Sequence, residues 1–154
     1  VGIETQVLDF NGTLDATNEM FNSDIVVGSV HRYPSSNGSL IDLNRIKVLN
    51  DADEIEFNLA MGMLKNATID ILGHPFGVYS YFHKKLPKKY FELICKESLK
   101  RKIAIEINTK YIAEPEKLFK ILKEINPYVS IGSDAHNKEE LARAFNIIKE
   151  VVKK

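Results

Sequence analysis

Tryptophan is absent, cysteine occurs once, and neither sign of charge is in excess: 21 Lys and Arg face 21 Asp and Glu. With Cys95 alone, no intrachain disulfide can form, which excludes stapled secreted scaffolds and fits a reducing, cytoplasmic compartment. A formal net charge of zero argues against a nucleic-acid partner, which ordinarily needs a basic excess on one face. No apolar run approaches the roughly 18 residues of a membrane span, and the opening residues lack a signal-peptide pattern, so no membrane partner is expected. Glycine and proline are sparse, at 8 and 5 of 154 residues, while 44% of residues are hydrophobic. That balance excludes collagen-like and disordered chains and leaves one domain, residues 1–154, with a core of its own.

What is present is a recurring unit without sequence repeat: a short β-branched run, a loop, then an amphipathic helix. The runs are Gly2–Leu8, Ile25–His31, Ile69–His74, Ile103–Asn108 and Val129–Asp134. Ile55, Leu59 and Met63 are spaced by four within a helical region over Asp51–Leu64. Pro87 opens a second helix, with Tyr90, Phe91, Ile94 and Leu99 as its stripe and Cys95 on the same apolar face. Glu114–Ile125 is a third, with Pro115 in its first turn and Leu118, Ile121, Leu122 and Ile125 facing inward. A last helix is expected after Asn137, an N-cap with Glu140 as capping-box partner and Leu141, Phe145, Ile148 and Val152 as its stripe. Pro34–Ser39 reads as a loop rather than a linker.

Strands alternating with helices indicate parallel βαβ units, hence an α/β fold. Within the strands, period two separates an apolar face from a polar one. The first carries Val26 and Val30, Ile69 and Ile71, Ile103, Ile105 and Ile107, and Val129 and Ile131; it is expected to pack on the helices. The second carries Ser29 and His31, Asp70 and His74, Glu106 and Asn108, and Ser130 and Asp134. Polar groups from several strands are costly to bury without partners, and a binding site supplies such partners.

The strands end on residues able to coordinate a metal or hold a substrate: His31, His74, Asn108, and the pair Asp134 and His136. Glu4 reaches the same rim if the first strand enters slightly differently. Parallel barrels build active sites at this end, and a mixed imidazole and carboxylate set suits Zn, Mn or Fe better than Mg or Ca. Each residue has a plainer role. A lone histidine closing a strand is usually a surface or hydrogen-bonded group, Asp134 fits turn chemistry, and Glu4 alone reads as solvated. Their shared placement favours ligands, and Asn137 as cap leaves Asp134 and His136 available. His83, in a loop Phe82–Pro87, and Lys84, Lys85, Lys88 and Lys89 read as solvated surface, and Cys95 as core. No glycine-rich phosphate loop and no nucleophile elbow is present.

Gly2-Ile3-Glu4, Gly28-Ser29-Val30-His31, Ile71-Leu72-Gly73-His74-Pro75, Ile105-Glu106-Ile107-Asn108 and Gly132-Ser133-Asp134-Ala135-His136 follow in that order. The series resembles the polymerase and histidinol phosphatase (PHP) family over nearly the whole chain. The resemblance implies a distorted (βα)7-type barrel holding two or three divalent metal ions and hydrolysing phosphoesters. It makes Glu4 a bridging ligand, His31 and His74 ligands of one ion, and Asp134 and His136 ligands of neighbouring ions. Family members begin with a His-x-His pair on the first strand, followed by further His or Asp ligands on the next unit, whereas here Gly2 follows a valine at position 1. The chain is therefore read as the C-terminal two-thirds of such a domain, an incomplete barrel whose first two βα units are cut off or supplied by another chain. Self-association across the exposed strand edge is a corresponding expectation.

The leading expectation is a phosphoesterase acting on a small phosphorylated substrate through a metal-activated hydroxide. Arg32, at the start of the Tyr33–Ser39 loop, and Asn108 are the candidate substrate contacts. A non-catalytic metal-binding or partner-binding piece, and a polymerase-associated exonuclease, are the alternatives. A metal-dependent C–N hydrolase shares the ligand types but fits the ordered motifs less well.

Overall fold

The computed structural model describes residues 1–35, 39–141 and 149. Five parallel strands form one sheet in sequential order: β1 (Gly2–Gln6), β2 (Ile25–Ser29), β3 (Ile71–Gly73), β4 (Ala104–Asn108) and β5 (Val129–Gly132). Because all five run the same way, their C-terminal ends collect on one rim. Among the described residues, the strands are connected by α1 (Leu43–Ile46), α2 (Ala52–Asn66), α3 (Gly77–His83), α4 (Lys88–Arg101) and α5 (Pro115–Ile125). The α/β alternation agrees with the sequence, and β1 and β5 are the sheet's two edges among the described residues. No helix of the described residues is long and apolar enough to cross a membrane.

The core forms where helical stripes meet the apolar strand face. Leu59 and Met63 of α2, Phe91 and Ile94 of α4, and Ile121 of α5 are buried in one cluster with Val26, Leu72 and Ile105. Cys95 lies fully inside it, and burial pushes its thiol up to about 12, as a core residue rather than a nucleophile.

Several expectations are corrected. The register pairs Ile71 with Val27 and Ala104, and Leu72 with Gly28 and Ile105. Leu72, not Ile71, therefore takes the helix-facing position of β3. Asp70 stands at the other end of that strand from His74, exposed, with its carboxylate accepting from the Val26 N–H at 2.8 Å. Val129 and Ile131 are 49% and 57% exposed instead of buried. On α4 the buried line runs Phe91, Ile94, Cys95, Ser98, and Leu99 is 39% exposed. His83 is not in a loop but ends α3, stacked on Tyr79 at 4.6 Å with its Nε2 buried. Tyr33, read as the start of a loop, is fully buried. Asn137 does cap a turn, but that turn is 3-10 and spans Lys138–Glu140. The stripe residues Phe145, Ile148 and Val152 lie outside the described residues.

A hairpin follows β1, closed by the Val7–Leu14 bridge, and Asp9 caps its turn by accepting from the Asn11 and Thr13 N–H groups. Its tip lies directly against α2. A Cβ on Gly62 would sit 2.4 Å from the Phe10 carbonyl oxygen, and one on Gly12 (φ +85°) would sit 2.4 Å from the Gly62 carbonyl oxygen. Gly62→Ala is therefore expected to destabilise by about 2 kcal/mol, although alanine is the better helix former. Urea unfolding checks this, and equal or greater stability would contradict the backbone contact.

Candidate metal centre

The polar face of the sheet places Glu4 on β1, paired in register with Val27, and Gln6 opposite Ser29. From that position the Glu4 carboxylate meets two histidines from the ends of the next strands. Glu4 Oε1 lies 3.2 Å from His31 Nε2, 3.2 Å from His74 Nε2, and accepts from Ser29 Oγ at 2.7 Å. The three candidate ligand atoms of Glu4, His31 and His74 lie within 4.8 Å of one another. Residues 70 positions apart in the chain thus converge at one rim, as parallel winding allows.

The surroundings hold this arrangement in place. A side chain on Gly73 would collide with Ser29 Oγ at 2.0 Å, and one on Gly77 would press on His74 Nδ1 at 2.7 Å. His74 itself has φ 26°, in the left-handed region that non-glycine residues rarely adopt, as does Asp134 at φ 46°. The His74 N–H donates to Glu106 Oε2 at 2.8 Å, which anchors the turn that carries the ring. Glu106 needs room to do this: a Cβ on Gly132 would lie 1.9 Å from its Oε1.

The negative charge of the trio sits on the Glu4 carboxylate. Hydrogen bonds from His31 and His74 hold the Glu4 carboxyl well below the usual carboxylate range, against the opposing effect of burial. Burial alone would lower the His74 pKa. The Glu4 hydrogen bond and the carboxylates of Glu106, Glu4 and Glu56 outweigh it and raise the net value. Burial raises the Glu106 carboxyl, against the His74 N–H bond. Two imidazole nitrogens and a carboxylate oxygen form a donor set for a transition metal or zinc rather than for calcium, so the residues present fit such an ion.

The other candidates lie outside this trio. Asp134 is not free: its Oδ2 accepts from Lys110 Nζ at 2.7 Å and from Tyr111 Oη at 2.9 Å. Burial would raise its pKa, but those two donors outweigh it and lower it. His136 Nδ1 lies 2.8 Å from the Asp134 carbonyl oxygen and does not reach Glu4. Tyr111 links the two groups, its ring 4.8 Å from that of His74. Asn108 is buried: its Nδ2 donates to Glu106 Oε1 at 3.2 Å, and its Oδ1 accepts the Lys110 N–H at 3.1 Å. Arg32 is exposed beside buried Tyr33. Lys110 and Tyr111, which engage Asp134, give no signal in the sequence because neither ends a strand in the pattern.

The chain is 27% identical over 150 residues to a protein named probable phosphatase from Caldicellulosiruptor saccharolyticus. It is 29% identical over 150 residues to a probable phosphatase from Caldicellulosiruptor bescii, and 26% identical over 159 residues to one from Aliivibrio fischeri. Each alignment covers 92% of this chain but only 53–54% of the relative, so the chain spans about half the length of these proteins. No family model and no solved structure matches it.

Proposed function

We propose that this chain forms part of a metal-dependent phosphoesterase of the polymerase and histidinol phosphatase type, hydrolysing a small phosphomonoester to its alcohol and inorganic phosphate. The observation that carries this reading is the meeting of Glu4, His31 and His74 at the C-terminal rim of a parallel sheet. Similarity to proteins named probable phosphatases supports it independently. The sequential parallel order supports a segment of a distorted barrel. Glu4, His31 and His74 would hold one divalent ion, Zn, Mn or Fe, with Asp134 and His136 serving neighbouring ions. Such an ion supplies Lewis acidity, easing ionisation of water and offsetting charge on the phosphoryl oxygens. Within the chain, Ser29 fixes the Glu4 oxygen and Glu106 fixes the turn of His74. Arg32 is assigned to the substrate, and Asn108, buried and bonded to Glu106 Oε1 and to the Lys110 N–H, to positioning Glu106.

The test uses the protein at the full length its gene encodes. Elemental analysis is expected to find a bound transition metal, and chelation is expected to abolish phosphate release from a panel of phosphomonoesters, with Zn or Mn restoring it. Full activity after complete metal removal would overturn the reading. The engagement of the Asp134 carboxylate by Lys110 and Tyr111 favours a second reading, a metal-binding module without turnover; bound metal with no hydrolysis would establish it.

A further inference from the structure

A cleft of about 240 Å³ opens beside the metal centre, and His31 and His74 form part of its wall. The rest of the wall is mostly apolar. Val78, Tyr81 and Phe82 line it from α3, at the spacing i, i+3, i+4 that places them on one helical face. Val78 and Phe82 are partly buried and also touch the hydrophobic core, while the other side of α3 is pinned by buried Gly77 and Ser80 and by the Tyr79 N–H donating to Glu56 at 2.8 Å. Tyr81 is left 57% exposed, its ring edge-on to Phe82 at 5.1 Å. Across the cleft the Tyr111 ring faces His74, and Lys110 Nζ stands 5.4 Å from the Tyr111 ring centroid.

The exposed part of this wall, Tyr81 above all, stands beside a candidate ion-binding group, and a ligand is its natural cover. An apolar cavity of about 150 Å³ suffices for benzene, so this cleft accommodates one substituted ring. A sugar would leave its hydroxyls facing carbon, a desolvation cost that selects against it. We propose that the cleft is the subsite for the alcohol portion of the phosphomonoester, and that this portion carries a flat apolar ring, with the phosphoryl end toward Glu4, His31 and His74 and beside Lys110. The proposal rests on the phosphoesterase reading and adds to it a substrate class.

Phenethyl phosphate and glycerol 3-phosphate, both esters of alkyl alcohols, form the test pair with metal-loaded, full-length protein. The ring-bearing ester is expected to have the higher kcat/KM by about tenfold or more. Tyr81→Ala and Phe82→Ala are each expected to lower kcat/KM for phenethyl phosphate by about tenfold, chiefly through KM, and to leave glycerol 3-phosphate nearly unchanged. Calorimetry with the non-hydrolysable phenethylphosphonate is expected to show the same weakening. Equal losses for both esters, or a preference for the glycerol ester, would overturn the proposal. So would unchanged kinetics with a lowered unfolding midpoint, which would identify the rings as packing for another part of the protein. If wild-type protein hydrolyses neither ester, the phosphoesterase reading fails, and the phosphonate decides the cleft separately. Binding that depends on Tyr81 and Phe82 would keep it as a ring-selective anion subsite, and no binding would remove it.

Discussion

On the proposed phosphoesterase reading, replacing His74 by alanine is expected to lower phosphate release by roughly 10³-fold and to abolish binding of the proposed ion, because Lewis-acid stabilisation of several kcal/mol depends on it. His74 offers its Nε2 next to Glu4 Oε1 at 3.2 Å, and its neighbour His31 offers another at the same distance. Losing one of three ligands should weaken metal affinity by far more than the 10–100-fold typical of the groups behind the ligands. The His74 side chain is buried, so the alanine variant also loses packing. Its backbone bond to Glu106 survives, since the N–H remains. His31→Ala keeps the inference testable on a folded protein, because that ring is 42% exposed and its removal should change stability by no more than about 0.5 kcal/mol. Elemental analysis and a phosphate-release assay on both variants check the expectation. Normal metal content and turnover in both would remove these histidines from the site.

The reason these residues were legible in the sequence is that parallel strands translate position along the chain into position on a rim. His31 and His74 needed only the strand ends to be right, and an error of one or two residues did not disturb them, whereas Glu4, in the middle of β1, needed the facing of its strand as well. Facing was harder. β3 has three residues, too few for its alternation to be read, and a one-residue slip moved Ile71 and Asp70 to the wrong sides. On α3, Val78 and Phe82 touch the core only in part and Tyr81 is 57% exposed, so the helix carries no fully buried apolar stripe for the pattern to register. Its N-cap, Phe76, has φ 63°, which a capping rule based on Ser, Thr, Asp or Asn does not anticipate. The glycines that make room for Ser29 and Glu106 carry no signal until their neighbours across the sheet are known. Asp134 shows the limit of elimination. Finding another cap for the next turn did not leave its carboxylate unengaged, because Lys110 and Tyr111 approach from a different strand end.

Stability of the wild-type protein is expected to fall by about 3 kcal/mol relative to Glu56→Gln as pH rises from 4.5 to 7. Glu56 projects from α2 into the core, fully buried, and burial pushes its carboxyl up to about 7 from an ordinary value of 4.5. Its Oε2 accepts from Tyr33 Oη and from the Tyr79 N–H, both at 2.8 Å, while its Oε1 is buried with no hydrogen-bond partner among the described residues. Those donors and the nearby charge of His74 favour the ionised form, but desolvation outweighs them. The sign follows from proton counting. Below pH 4.5 the carboxyl is protonated in both folded and unfolded chains and adds no pH dependence. Between 4.5 and 7 the unfolded chain ionises while the folded one keeps its proton, so the folded state loses ground as pH rises. Above 7 both are ionised and the difference is constant. Glutamine is neutral throughout and retains an acceptor for both donors, which isolates this one group from the other carboxylates and histidines that titrate in the same range. Urea unfolding of both proteins across that window measures the difference, and parallel curves would show that Glu56 folds already ionised. The consequence reaches the rim, because Tyr33 lies two residues beyond His31 and Tyr79 belongs to the helix that lines the cleft. One buried carboxyl thus ties together the segments that carry a candidate ligand and the candidate ring subsite, and breaking its bonds with Tyr33→Phe should loosen both.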